Sequence, residues 1–76
     1  MRVTIAKVHE NLFAGEAEAL IAPTTEGILT ILGNHEPVVA TLKEGTLIVK
    51  ADGTDTTYEI AGGVLEVSGN QATVLL

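Results

Sequence analysis

The feature that most constrains the fold of this chain is the regular spacing of its turn signals. Pro23, Gly33-Asn34, Asp52-Gly53 and Gly69-Asn70 are among the residues that interrupt it, at intervals of roughly 8–12 residues. Segments that short leave no room for an ordinary helix, and none of them shows a convincing helical period. They are rich in Val, Ile and Thr, which favour pleated strands. The spacing therefore predicts an all-β fold.

The predicted architecture is one domain over residues 1–76, a small antiparallel β-sandwich of about eight to ten short strands. Between the strands we expect hairpin turns at Asp52-Gly53 and Gly69-Asn70, a turn at Glu44-Gly45, and a kink or bulge at Gly62-Gly63. Pro23 should end the second strand. The predicted strands are Arg2–Val8, Glu16–Ala22, Ile28–Leu32, Val38–Lys43, Thr46–Lys50, Thr56–Ile60, Val64–Ser68 and Gln71–Leu76.

Charge and composition exclude several classes of function. Ten acidic residues against four basic ones give a net charge of −6, which argues against nucleic-acid binding and against docking on anionic lipid. The chain has no cysteine, so disulfides and thiolate metal sites are excluded. No apolar run has the length of a membrane span, and the N-terminus does not resemble a signal peptide. Composition alone therefore predicts a soluble cytosolic β-domain.

The candidate chemistry centres on His35 and Glu36, which adjoin in the stretch Leu32–Pro37. Neighbouring residues of an extended segment point to opposite sides, so the two side chains should not act on one substrate atom. A metal site needs three or four converging ligands, and the other histidine, His9, is distant in sequence. A turn is the favoured interpretation, and a contact residue for a partner is the next, because loops often carry function.

Three further features have structural explanations. Asp52 and Asp55 lie in a loop too short for a calcium site, Gly62-Gly63 opens no phosphate-binding helix, and Ser68 abuts a turn without a base beside it. We therefore predict no catalytic residue, no metal and no cofactor. Two alternatives stay open: a free-standing β-sandwich that binds a small ligand or sugar, and a metalloenzyme that uses His9 and His35.

A series of short motifs carries a resemblance to a known family. The chain resembles the N-terminal β-sandwich domain of the epsilon subunit of F-type ATP synthase over nearly its whole length. The stretches that carry this resemblance are Leu12-Phe13-Ala14-Gly15, Glu26–Ile31, Gly33-Asn34-His35-Glu36-Pro37, Leu42-Lys43-Glu44-Gly45, Ala61–Val67 and Ala72–Leu75. They resemble the family's LFxG, EGxLGI, PGHAP, LKPG, SGGxLEV and VTVL segments in the same order.

The resemblance implies a non-catalytic rotor subunit of a proton-translocating F-type ATP synthase, peripheral to the cytoplasmic face of the membrane. The expected partners are the gamma subunit and the c-ring, without direct insertion into lipid. By position, Lys7, His35, Val38 and Ala40 would face gamma, and Glu26, Gly27 and Ile28 would face the c-ring. In this chain Asn34, Glu36 and Ile28 differ from the family pattern, which has glycine, a small residue and often a charged residue there.

Overall fold

The computed structural model describes residues 1–76 and consists of seven strands joined by turns, with no helix. The all-β prediction is confirmed, and the strand count is slightly lower than expected. The chain has no helix long and apolar enough to cross a membrane. The strands are β1 (Arg2–Lys7), β2 (Glu10–Glu16), β3 (Ala19–Thr24), β4 (Gly27–Leu32), β5 (Val38–Ala51), β6 (Thr54–Ser68) and β7 (Gln71–Leu75).

The strands form one hydrogen-bonded ribbon in the order β2-β1-β7-β6-β5-β3-β4. Every pairing is antiparallel except that of β1 with β7, which is parallel. The Asp52-Gly53 and Gly69-Asn70 turns are confirmed: all four residues have positive φ between 52° and 73°, as a two-residue hairpin turn of the primed type requires.

This ribbon is folded over into two layers. A straight strand of 14 residues would span about 46 Å, yet no dimension of the molecule exceeds 25 Å. β5 and β6 must therefore bend, and their two halves belong to different layers. The first half of β5 lies with the second half of β6, β7, β1 and β2. The second half of β5 lies with the first half of β6, β3 and β4. This folding makes the predicted sandwich.

The long β5–β6 hairpin corrects two of the predicted breaks. Glu44-Gly45 is not a turn, because β5 continues through it to Ala51. Of the two alternatives predicted for Gly62-Gly63, a kink or a bulge, the bulge is wrong, because the pairing of β5 with β6 keeps one register from Val38↔Val67 to Ala51↔Thr54. Gly63 has φ of 144°, and a Cβ there would lie 2.5 Å from the carbonyl oxygen of Leu75. This glycine therefore permits a close approach of β7 where the layers bend.

Two predictions for the first third of the chain were also wrong. Glu10–Glu16 is a strand. It was not predicted because a register shift opposite Ile5 and Ala6 breaks its two-residue alternation. Pro23 does not end β3 but pairs with Ile28 within it. β3 lies between β4 and β5, and its residues are buried on both faces apart from the half-buried Ile21.

The core lies between the two layers and draws on all of the strands except β2. β2 contributes the half-buried Leu12 and Phe13, which pack against it. The fully buried large side chains are Ile5, Leu20, Ile31, Leu47, Leu65, Val3, Val49, Val67 and Val74. Leu47 and Val49, two residues apart on β5, are both among them.

Candidate interaction surface

The concave feature that gathers the most predicted contact residues lies between the β3–β4 turn and the first half of β5. We call it the β4–β5 groove; its volume is about 400 Å³. It is lined by Thr24, Thr25, Glu26, Gly27, Ile28, Leu29, Val38, Val39, Ala40 and Thr41. The only ionisable side chain among them is that of Glu26.

One wall of the groove is a turn fixed by a buried threonine. The hydroxyl of Thr24 donates to the carbonyl oxygen of Gly27 at 2.6 Å and accepts from the backbone N–H of Glu26 at 3.1 Å. Gly27 has φ of 114°, a value that favours glycine. The turn thereby presents Glu26 and Ile28 at the surface, where Ile28 is 70% exposed.

The opposite wall is the first half of β5, in which side chains alternate between the core and solvent. Val38 and Ala40 are half-buried and pack against the core, whereas Val39 between them is 70% exposed. The backbone N–H of Thr25 donates to the carbonyl oxygen of Thr41 at 3.0 Å and closes one end of the groove.

The groove brings together residues that the sequence assigned to two different partners. Glu26, Gly27 and Ile28, expected at the c-ring, share it with Val38 and Ala40, expected at gamma. Sequence reasoning missed Val39. Counting in steps of two from the buried Leu42 would have placed Val38 and Ala40 inward and Val39 outward.

His35 lies in the connection that leads into the groove, held by backbone contacts. The N–H of Asn34 donates to Oδ1 of Asn70 at 2.8 Å, and the N–H of His35 donates to the carbonyl oxygen of Leu32 at 3.2 Å. Nδ1 of His35 lies 2.7 Å from the carbonyl oxygen of Glu36. His35 is half-buried and Glu36 is exposed, so their side chains meet different surroundings.

Lys7 lies apart from the other predicted contact residues. It is the last residue of β1, beside the turn to β2. Its side chain is exposed, and its position in the strand register is opposite Glu10. His35 lies beyond the other end of β1, because Asn70 binds both the N–H of Arg2 and that of Asn34. His9 lies in the turn that follows Lys7, so the two histidines are separated by the length of β1. No three His, Cys, Asp or Glu side chains come close enough to hold a metal ion.

A second depression of about 420 Å³ adjoins the groove through Val38 and Val39. It is lined by Pro37, Val38, Val39, Glu66, Val67 and Ser68. Glu66 lies directly across the β5–β6 ladder from Val39. The molecule has two ion pairs, Met1 amino group with Glu16 and Lys50 with Asp55. Glu26, Glu36 and Glu66 belong to neither, so the surroundings of Val39 carry uncompensated negative charge.

Comparison with known proteins identifies the relatives of this sandwich. The family model described as "ATP synthase, Delta/Epsilon chain, beta-sandwich domain" matches residues 1–76. The chain is 40% identical over 76 residues to the ATP synthase epsilon chain of Bordetella petrii, with 99% of this chain and 54% of that protein covered. It is 42% identical over 72 residues to the ATP synthase epsilon chain of Chlorobaculum tepidum, with 93% and 82% covered. The chain spans about half the length of the Bordetella petrii protein and of several other ATP synthase epsilon chains that it matches.

Solved structures give the same fold. A chain of the Euglena gracilis mitochondrial ATP synthase, determined with its OSCP, F1 and c-ring parts, matches with a TM-score of 0.89 and 28% identity over 96% of this chain and 48% of that one. A chain of the Tetrahymena thermophila mitochondrial ATP synthase central stalk and c-ring matches with a TM-score of 0.83, at 17% identity and with 97% and 60% covered. The second likeness is one of fold alone.

Proposed function

Because this chain belongs to the family of ATP synthase delta/epsilon chain β-sandwich domains, we propose that it is a non-catalytic rotor subunit linking the gamma subunit to the c-ring of a proton-translocating F-type ATP synthase. Its place would be the cytoplasmic face of the membrane, held there by the rest of the complex. The observation that carries the proposal is the β4–β5 groove, where the residues assigned to the two partners share one surface.

The groove suits a contact between proteins better than a reaction. Its single ionisable side chain is that of Glu26, and no Ser, Cys, Lys or His lines it to form a nucleophile–base pair. Ile28 and Val39 expose apolar surface on its opposite walls, and exposed apolar side chains grouped at one place mark interaction sites. In this proposal Glu26, Gly27 and Ile28 face the c-ring, and His35, Val38 and Ala40 face gamma, with Lys7 as a separate gamma contact.

The test is a titration of the ¹⁵N-labelled chain with the gamma subunit of the same organism. We expect amide shifts at His35, Val38 and Ala40, and further shifts at Glu26 and Ile28 only when the c-ring is added. Val39→Lys should weaken gamma binding, because it places a positive charge where Ile28 and Val39 expose apolar surface. The matched control, Thr57→Lys on the exposed part of β6, should bind like the original chain. A titration without shifts in this region would refute the proposal.

A small-ligand module is the second candidate, favoured by the volume of the groove. Its value of about 400 Å³ falls in the range of about 300–1,000 Å³ typical of ligand sites. Sugar binding is disfavoured, since the only aromatic side chains, Phe13 and Tyr58, are half-buried and pack on the core. A thermal-shift screen decides: stabilisation by a small molecule, together with absent gamma binding, would replace the rotor proposal.

A further inference from the structure

We propose that the β4–β5 groove binds its partner by strand addition: an extended, basic segment of the gamma subunit pairs with the open edge of β5 at residues 38–41. This inference rests on the proposed function and specifies how the contact is made. Its occupant is defined by chemistry, a strand that offers backbone hydrogen bonds and at least one lysine or arginine.

Backbone groups in the first half of β5 point toward the groove. The carbonyl oxygen of Thr41 accepts from Thr25, so it points away from β6 and toward the groove. In an antiparallel strand, every second residue directs both its N–H and its C=O to the same side. Val39 therefore turns its N–H and C=O toward the groove as well. β3 reaches β5 only from Leu42 onward, and no strand pairs with Val39 on that side.

Residues 38–41 carry no charge, proline or bulge of their own, although Pro37 directly precedes them. Edge strands are blunted by charges, prolines, bulges or a covering element. β2, the strand at one end of the ribbon, carries Glu10 and Glu16 and an irregular register with β1. The stretch Val38–Thr41, by contrast, has no charge and no proline within it, and its register with β6 is regular. The facing strand β4 is the other end of the ribbon, so its outer edge is also unpaired.

The surroundings of this edge are acidic. Glu66 lies directly across from Val39, Glu26 lines the groove, and Glu36 precedes it by three residues. None of these carboxylates is in an ion pair of the chain itself. A segment with a lysine or arginine near Val39 would compensate them, and the charges would set its orientation and speed its association.

The experiment removes one backbone donor. Val39→Pro deletes the N–H that faces the groove while leaving the hydrogen bonds to β6, since proline is tolerated at strand edges. Val39→Thr is the matched control, of similar shape and with the N–H retained. We expect the proline variant to bind gamma roughly tenfold more weakly than the threonine variant, from one lost hydrogen bond and the altered strand geometry. Thermal unfolding of both variants checks that they remain folded.

Hydrogen exchange in the original chain provides a readout that needs no substitution. Gamma should slow exchange of the Val39 amide, and raising the salt concentration should weaken binding. Gamma binding without protection of the Val39 amide would overturn strand addition and leave the rotor proposal standing. Binding insensitive to salt would overturn the basic character of the segment. Absence of any gamma binding would overturn both proposals.

Discussion

The two halves of β5 belong to one strand but have different neighbours. The second half, Thr46–Lys50, lies between β6 and β3, and its Leu47 and Val49 are completely buried. The first half, Val38–Thr41, has β6 on one side and the groove on the other, and Val39 is 70% exposed. Both halves are apolar and β-branched, so their difference lies in what surrounds them. One half stabilises the molecule, and the other is available to a partner.

The sharpest way to test this division is to shorten an apolar side chain in each half. Leu47→Ala should lower the free energy of unfolding by about 2–5 kcal/mol, because it leaves a cavity in the core. Val39→Ala should change it by less than about 0.5 kcal/mol, as is usual for exposed sites. Urea denaturation of both variants measures the difference. Equal losses would show that the first half is as much a part of the core as the second.

The boundary between the halves can be tested at Gly63, which faces Leu42 across the hairpin. Gly63→Ala should cost at least about 2 kcal/mol, because the strain of its positive φ adds to a Cβ placed 2.5 Å from the Leu75 oxygen. Gly53→Ala is the control: its φ is 73°, and no atom lies within 4 Å of an added Cβ. It should cost only about 1–2 kcal/mol. If the alanine at position 63 lowered the free energy of unfolding by less than the alanine at position 53, β7 would be able to move aside without cost.

The wall of the groove depends on Thr24, which is 4% exposed. Thr24→Val should lower the free energy of unfolding by about 1–2 kcal/mol, because the carbonyl of Gly27 and the N–H of Glu26 lose their shared partner. Thr25→Val, on an exposed side chain of the same turn, should have little effect. At temperatures where both variants stay folded, the amide signals of Gly27 and Ile28 should shift in Thr24→Val and not in Thr25→Val.

The smallest change in the free energy of unfolding is expected at the connection that leads into the first half of β5. Asn70→Gly keeps the positive φ of this turn but removes the acceptor for the Asn34 N–H, so it should cost about 0.5–1 kcal/mol. Asn70→Asp retains Oδ1 and should behave like the original chain. Relaxation measurements on His35 should detect greater mobility in the glycine variant. Unchanged relaxation would show that the His35 N–H bond to Leu32 suffices to hold the connection.

The sequence predicted those features that depend on a few neighbouring residues. The Asp52-Gly53 and Gly69-Asn70 turns were predictable because few other residue pairs accept positive φ at both positions. Leu47 and Val49 are two residues apart, the spacing of side chains on one face of a strand, and both are buried. β2 was missed because its register shift with β1 breaks the alternation that strand prediction relies on.

For the candidate surface, the motif resemblance predicted which positions carry contacts, and those assignments stay predictions. It did not distinguish Val38 and Ala40, which are half-buried, from Val39, which is exposed. Nor did it predict that Lys7 and His35 lie at opposite ends of β1. Both facts follow from strand pairing, which joins residues far apart in the chain.

Strands instead of helices, the main hairpin turns and an acidic domain with an apolar core could all be read from the amino-acid sequence. These follow from local backbone preferences and composition. The tertiary structure alone decided that Gly45 and Gly62-Gly63 lie within two long bent strands, since a glycine signals backbone freedom without specifying its use. It also decided that the edge of Val38–Thr41 stays open, because an edge is defined by which strand is absent beside it.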